Sequence, residues 1–175
     1  MLRIIAITAA VVATTSTAEA AEPFAPLEFL AGSCWEGEFM GGKAVDRHCY
    51  SWVYEGKIMR DRHRVRPNAE AKPSAADYTG ETIYSYDPKS KALIYRYFNR
   101  DGEVIDGTIE AFDGTIVFPS EMQTDKGLVK MRATWTRKGD AYEAVEEQMK
   151  DGKWQHMFAR TLKRIGPAAA EPAFP

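Results

Sequence analysis

The sequence predicts an all-β protein that folds as a single up-and-down antiparallel β-barrel of about ten strands, preceded by a short helical turn. Three observations predict this class. Short alternating or β-rich runs follow one another from Tyr78 onward, Gly- and Asp-containing turns separate them at regular intervals, and 45% of the 175 residues are hydrophobic. A meander of this length must close or expose its edge strands, so we expect a barrel.

The first 20 residues have the pattern of a secretory signal peptide. Arg3 precedes an apolar stretch from Ile4 to Ala13, and the A-x-A sequence Ala18-Glu19-Ala20 follows. The apolar run is about half of the roughly 20 residues that a membrane-spanning helix needs. We therefore expect cleavage after Ala20, no transmembrane segment, and a location in the periplasm or outside the cell.

One barrel domain is expected over residues 21–166, followed by a flexible Pro- and Ala-rich tail at residues 167–175. Pro26–Gly32 predicts one or two helical turns, because Pro suits a helix start and Gly a helix stop. Pro67–Ala76 is expected to be the longest irregular loop. The predicted strands are Cys34–Met40, Val45–Tyr54, Lys57–Val65, Tyr78–Tyr86, Leu93–Asn99, Glu103–Phe112, Thr115–Phe118, Leu128–Arg137, Ala141–Lys150 and Lys153–Arg164.

Cys34 and Cys49 are predicted to form a disulfide across the first hairpin. If Gly41-Gly42 is a two-residue turn, Met40 faces Lys43 and every pair of opposed residue numbers sums to 83, which sets Cys34 opposite Cys49. Directly opposed residues have Cα atoms about 4.5 or 5.5 Å apart, within reach of a disulfide. Export would supply the oxidising compartment, and no C-x-x-C motif favours a metal-binding or redox-active pair instead.

The stretch Leu27–Gly37 resembles the start of the calycin-type barrels, the lipocalins and their relatives, in which a short helical turn leads through a Gly and a Trp into the first strand. The resemblance implies structural roles for Gly32 and Trp35. It also implies that a basic residue of the last strand, Arg164 or Lys163, lies across the Trp. More closely, the chain resembles a family of exported bacterial lipocalin-like barrels of unknown function, through the segments Tyr84–Asp87, Asp101–Val104, Gly139–Tyr142 and Asp151–Trp154.

Aromatic side chains on three predicted strands define the candidate ligand site. Alternation along each strand should place them on one face, which can line a cavity for one small molecule. The same pattern suits side chains that simply fill the barrel, and periodicity does not separate the two interpretations. The candidate lining residues are Tyr84, Tyr86, Tyr95, Tyr97, Trp154, His156 and Phe158.

Four arginines alternate along one predicted strand and share a face. If this face points into the barrel it is an anion site, because guanidinium groups match carboxylate or phosphate. If it points outward it is an ordinary solvated face, and the apolar Met59 and Val65 on the opposite face favour this second interpretation. The arginines are Arg60, Arg62, Arg64 and Arg66.

Composition and motifs exclude several classes of function. A formal net charge of -2 excludes a nucleic-acid-wrapping protein, and two cysteines are too few for a disulfide-rich scaffold or a four-Cys zinc site. His48, His63 and His156 could act as bases or bind a metal if they converged with Asp61 or Glu38. No motif spacing supports this, so the sequence assigns no catalytic residue and no metal ligand.

The chain also resembles, more weakly, the nitrobindin-like barrels, which bind haem through a His near the C-terminus, and His156 would be that residue here. The favoured interpretation is an exported, non-catalytic protein without a cofactor that binds a small, partly apolar molecule inside the barrel. One alternative is a structural or interaction module of the cell envelope with a filled barrel. The other is a haem or metal protein that uses His156. No protein partner is indicated.

Overall fold

The computed structural model describes residues 22–68, 77–124 and 127–168, which form a closed barrel of ten antiparallel strands. The expected signal peptide (1–20), residues 69–76 of the expected loop and residues 169–175 of the expected tail lie outside the described residues. A 3-10 helix, Glu22–Leu30, precedes the strands. The strands are β1 (Ser33–Phe39), β2 (Ala44–Val53), β3 (Ile58–Pro67), β4 (Tyr78–Asp87), β5 (Ala92–Asn99), β6 (Val104–Phe112), β7 (Thr115–Thr124), β8 (Gly127–Lys138), β9 (Ala141–Lys150) and β10 (Lys153–Pro167).

Each strand pairs with its neighbours in sequence, and β1 closes the barrel by pairing with β10. The predicted class, an up-and-down all-β barrel with a short N-terminal helical turn, is confirmed, and the architecture is consistent with a lipocalin-like fold. No helix among the described residues is long and apolar enough to cross a membrane.

The first hairpin has the predicted register. Cys34 lies opposite Cys49 and the two form a disulfide, while Trp35 lies opposite His48. The turn is wider than predicted, because Phe39 and Ala44 are the last paired residues. The backbone has positive φ at three successive turn residues (Met40, Gly41 and Gly42), which a two-residue type I′ turn does not require.

β7 continues past the predicted end at Phe118 to Thr124. The prediction stopped early because Pro119 lacks an N–H and is uncommon inside a sheet. The missing N–H of Pro119 leaves no gap in the β6–β7 pairing, because that pairing has already ended at Glu110 and Val117. On the other side of this residue, the Pro119 carbonyl accepts a hydrogen bond from the Tyr95 hydroxyl at 3.2 Å.

β10 also runs beyond its predicted end at Arg164. Gly166 pairs with Cys34, Pro167 pairs with Ser33, and the Ala168 N–H donates to the Gly32 carbonyl at 3.0 Å. The first two residues of the expected unpaired tail are therefore held against the start of β1.

The 3-10 helix closes one end of the barrel. Its side chains Phe24, Leu27 and Leu30 are fully buried and pack with Trp35 in the core. Burying each such side chain stabilises the fold by about 1.5–3 kcal/mol, so the helix is fixed by its contacts with the barrel rather than by helical propensity. The helix therefore covers this end of the barrel interior.

We expect the double variant C34A/C49A to lose about 2–5 kcal/mol in free energy of unfolding, because the loss of a native disulfide typically costs a small domain this much. Denaturant unfolding of the variant and of reduced wild-type protein should give the same loss. Free thiols at both positions in protein isolated under oxidising conditions would contradict the assignment.

Candidate functional site

A cavity of about 250 Å³ lies inside the barrel. One part of its wall is apolar and aromatic, with Phe118 and Trp135 in contact at 4.4 Å between ring centroids and Tyr95 packed edge-on against Phe118. The other part carries ionisable side chains from β2, β3, β9 and β10. Concave sites with apolar walls and a few converging polar groups are the usual form of small-molecule sites.

Asp46 is the centre of a buried cluster formed with the ionisable side chains of this part of the wall. Its Oδ2 lies 2.7 Å from Arg160 Nε, and its Oδ1 lies 2.7 Å from His63 Nε2 and 3.3 Å from His48 Nε2. His48 Nδ1 contacts Asp61 Oδ2 at 2.7 Å. The two imidazole rings are stacked, with centroids 4.2 Å apart and planes inclined by 9°.

A glycine makes the contact between Asp46 and Arg160 possible. These residues belong to β2 and β10, and β1 runs between them. Gly37 of β1 is paired with Asp46, and a Cβ added there would come within 2.3 Å of the Thr161 carbonyl oxygen. A side chain at this position would therefore displace β10 and remove the space in which the guanidinium and the carboxylate meet.

The charges of this cluster compensate one another. Burial opposes the charged form of His48, but Asp61 and Asp46 outweigh it and raise the pKa of His48 to about 10. Burial likewise opposes ionisation of Asp46, yet the two histidines hold its pKa well below the usual range. For His63, burial and the adjacent charge of His48 lower the pKa. The cluster therefore holds one imidazolium and one neutral imidazole.

Glu146 is the second acidic group near Arg160, with 3.8 Å between Oε1 and the guanidinium Nη2. Burial raises the pKa of Glu146, and Arg160 opposes this rise. Burial also disfavours the charged form of Arg160, but Asp46 and Glu146 outweigh it and raise the pKa of the guanidinium. Arg160 is therefore a permanent cation between two carboxyl groups.

Tyrosines supply hydroxyl groups to the interior. The Tyr50 and Tyr142 hydroxyls meet at 3.1 Å on the helix side of the charged cluster. Burial raises the pKa of Tyr84 well above its ordinary value and that of Tyr95 to about 12. These hydroxyls therefore stay protonated and can donate hydrogen bonds.

Four of the predicted lining residues border the cavity: Tyr84, Tyr95, Tyr97 and Phe158. Tyr86 lies two residues beyond Tyr84 on β4, toward the helix-covered end, and is 37% exposed. It does not border the cavity.

Trp154 and His156 do not lie on the interior face, and their predicted alternation with Phe158 is wrong. The β9–β10 register shifts by one residue at Met157, so that His156 is opposite Glu147 while Phe158 is opposite Glu146. Such a bulge reverses which side chains face inward. His156 is exposed.

Trp154 forms part of the outer face of the barrel, where the Arg132 guanidinium lies 4.3 Å from its ring centroid. It borders a broad outer groove of about 1200 Å³, to which the exposed Phe98, Val104 and Leu128 also contribute. This groove is the apolar surface that an interaction module would offer.

The residues expected to have structural roles lie at the helix-covered end. Gly32 has a φ of 69°, and its N–H donates to the Tyr50 carbonyl at 2.9 Å. The Arg164 guanidinium lies 4.8 Å from the Trp35 ring centroid and donates to Ser33 Oγ and the Phe29 carbonyl. Arg164, rather than Lys163, therefore occupies the place that the resemblance to lipocalins implies.

The arginine face of β3 points outward. Met59, Asp61, His63 and Val65 are buried, whereas the four arginines are half-buried or exposed. The interior-facing polar residues of this strand are therefore Asp61 and His63, and the hypothesis of an anion site formed by the arginines is wrong.

Comparison with known protein families finds no family model that matches this chain, and comparison with curated proteins finds no match either. The functional argument therefore depends on the geometry of the barrel interior.

We expect replacement of Arg160 by Met to lower the free energy of unfolding by about 3–5 kcal/mol, because it leaves the Asp46 carboxylate buried without its partner. The matched control is R96M, which breaks the ion pair between Arg96 and Asp106 on the exposed outer face. An exposed pair contributes about 0–1 kcal/mol. Equal losses for the two variants in urea unfolding would contradict the account of the cluster.

Proposed function

We propose that this protein binds a small, partly apolar molecule in the cavity of the barrel. The observation that carries the proposal is the cavity itself, with Phe118 and Trp135 on one side and the cluster around Asp46 and Arg160 on the other. An aromatic wall offers dispersion and hydrophobic contacts, and the polar wall orients a hydrogen-bonding group.

The volume limits the size of the molecule. An apolar cavity of about 150 Å³ holds benzene, and sites for drug-sized ligands measure about 300–1,000 Å³. At about 250 Å³, this cavity suits a molecule with one or two rings or a short chain.

The charge balance favours a neutral molecule with a hydrogen-bonding group. Arg160 is already paired with Asp46, and His48 with Asp61, so these two cations of the cavity wall are not left to compensate an anionic ligand. Burying a further charge without a partner would cost several kcal/mol. The Tyr97 hydroxyl lies on the cavity wall, as do the hydroxyls of Thr82 and Ser120, which interact with Tyr84 and Tyr95.

The periplasm or the extracellular space is the proposed compartment. The Cys34–Cys49 disulfide supports it, because such bonds persist in oxidising compartments. The pattern of a signal peptide at residues 1–20 supports the same proposal.

The alternative is an interaction module that uses the outer face of the barrel. The outer groove bordered by Phe98, Leu128 and Trp154 favours it, because exposed contiguous apolar surface often marks a protein contact. The outer groove and the cavity share Tyr95, Ser120 and Met131. The two proposals are therefore separated by substitutions at residues that border only one of them, such as Trp154 and Ala133.

We expect 2-naphthol, a small neutral fluorescent aromatic alcohol, to bind with one molecule per chain and to quench tryptophan emission. Replacing Ala133 by Phe adds a ring to the cavity wall and should lower the affinity at least about tenfold. The control variant W154F changes the outer face and should leave the affinity unchanged. Fluorescence titration measures both, with far-UV circular dichroism to confirm folding.

Binding of 2-naphthol that Ala133→Phe leaves intact but Trp154→Phe weakens would place the site in the outer groove. Absence of saturable binding to wild-type protein would contradict the cavity proposal and favour the interaction module. As a second measure, Trp135→Phe should remove most of the quenching, because Trp135 borders the cavity directly.

A further inference from the structure

We propose that Asp46, His48 and His63 form a site for one divalent first-row transition-metal ion in the wall of the cavity. Two imidazoles and one carboxylate are a donor set that zinc and non-haem iron centres use. The sequence assigned no metal ligand, because these residues belong to two strands and have no motif spacing.

The three side chains place their donor atoms together. One ligand atom of each lies within 4.8 Å of the other two. Asp46 Oδ1 is 2.7 Å from His63 Nε2 and 3.3 Å from His48 Nε2. Donors around a tetrahedral zinc ion with bonds of about 2.0–2.1 Å are about 3.3 Å apart, so the donors lie close to the required spacing.

Asp61 provides the outer partner of such a site. Its Oδ2 accepts a hydrogen bond from His48 Nδ1 at 2.7 Å. In this arrangement Nε2 of the same ring lies 3.3 Å from Asp46 Oδ1. A carboxylate on the far nitrogen of a ligating histidine is the usual arrangement at metal centres, where it orients the ring and increases its basicity.

The proposed donor atoms are among the buried side-chain atoms of the described residues that form no well-aligned hydrogen bond, a group that also includes Asp61 Oδ1 and Arg160 Nε. Asp46, His48 and His63 are 1%, 5% and 6% exposed. Asp46 Oδ1, His48 Nε2 and His63 Nε2 are buried atoms that approach one another closely, but their angles do not make hydrogen bonds. Buried polar atoms without a partner are rare in proteins and require an explanation, of which a missing ion is one.

The charge count of the cluster matches a divalent ion. Asp46, Asp61 and Glu146 contribute three carboxyl groups, and Arg160 contributes one guanidinium. With both imidazoles neutral, as metal ligation requires, and with all three carboxyl groups ionised, an ion of charge two balances the cluster. The ion replaces the Nε2 proton of His48, which leaves to solvent, and His63 shifts its single ring proton from Nε2 to Nδ1 so that Nε2 can ligate the ion.

Ligation requires one local movement. A ligated ion lies near the plane of each imidazole, and the stacked rings of His48 and His63 are almost parallel. Each ring must therefore turn about χ2 toward the shared ion. The remaining coordination position faces the cavity, because both histidines border it.

This inference is independent of the proposed binding of an organic molecule. It is tested with metal ions alone, so either proposal can fail while the other stands.

The test is titration of the metal-free, oxidised full chain with Co²⁺, followed by displacement with Zn²⁺ and elemental analysis. We expect visible absorption bands of protein-bound Co²⁺ and one zinc ion per chain. H63A removes a donor and should weaken binding by more than about 100-fold, and D61N, which removes only the outer partner, by about 10–100-fold. The matched control is H156A, which removes the exposed outer-face histidine and should bind as wild type does.

Melting temperatures confirm that each variant is folded. A second measurement uses wild-type protein only: ring ¹⁵N resonances of His48 and His63 should shift on addition of Zn²⁺, and those of His156 should not. Wild-type protein that binds neither ion, H63A that binds as tightly as wild type, or unchanged ring resonances of His48 and His63 would each overturn the proposal.

Discussion

The buried ion pair between Asp46 and Arg160 is the interaction on which the interior of this barrel depends. Each of these ions would cost several kcal/mol to bury alone, and the contact between them offsets much of this cost. Gly37 leaves the space in which they meet. Asp46 then presents its second oxygen to both His48 and His63, so one carboxylate organises the whole charged wall.

The charged wall also explains the asymmetry of the interior. Toward the 3-10 helix, Trp35, Tyr142 and Leu162 are completely buried and pack closely. Beyond the Tyr50–Tyr142 hydrogen bond, charged side chains must keep their partners and cannot interdigitate with the aromatic residues opposite. We infer that this constraint keeps a space between the two walls, and both proposals for this protein use that space.

Local signals predicted the fold, whereas the charged site depends on long-range geometry. Turn arithmetic gave the Cys34–Cys49 pairing correctly. The same arithmetic at the Glu55-Gly56 turn gives opposed residue numbers that sum to 111. It sets His48 opposite His63, as observed, so the sequence was sufficient to predict this pair. The contact of Arg160 with Asp46 requires barrel closure, and the bulge at Met157 has no local signal, which is why His156 was misplaced.

The central claim is that the barrel interior is an accessible cavity rather than a filled core. A crystal structure determined under xenon pressure tests it most directly, because xenon enters apolar cavities of this size. The account requires xenon density beside Phe118 and Trp135, opposite the Asp46–Arg160 pair. An interior closed by side chains, with no void and no xenon density, would contradict it.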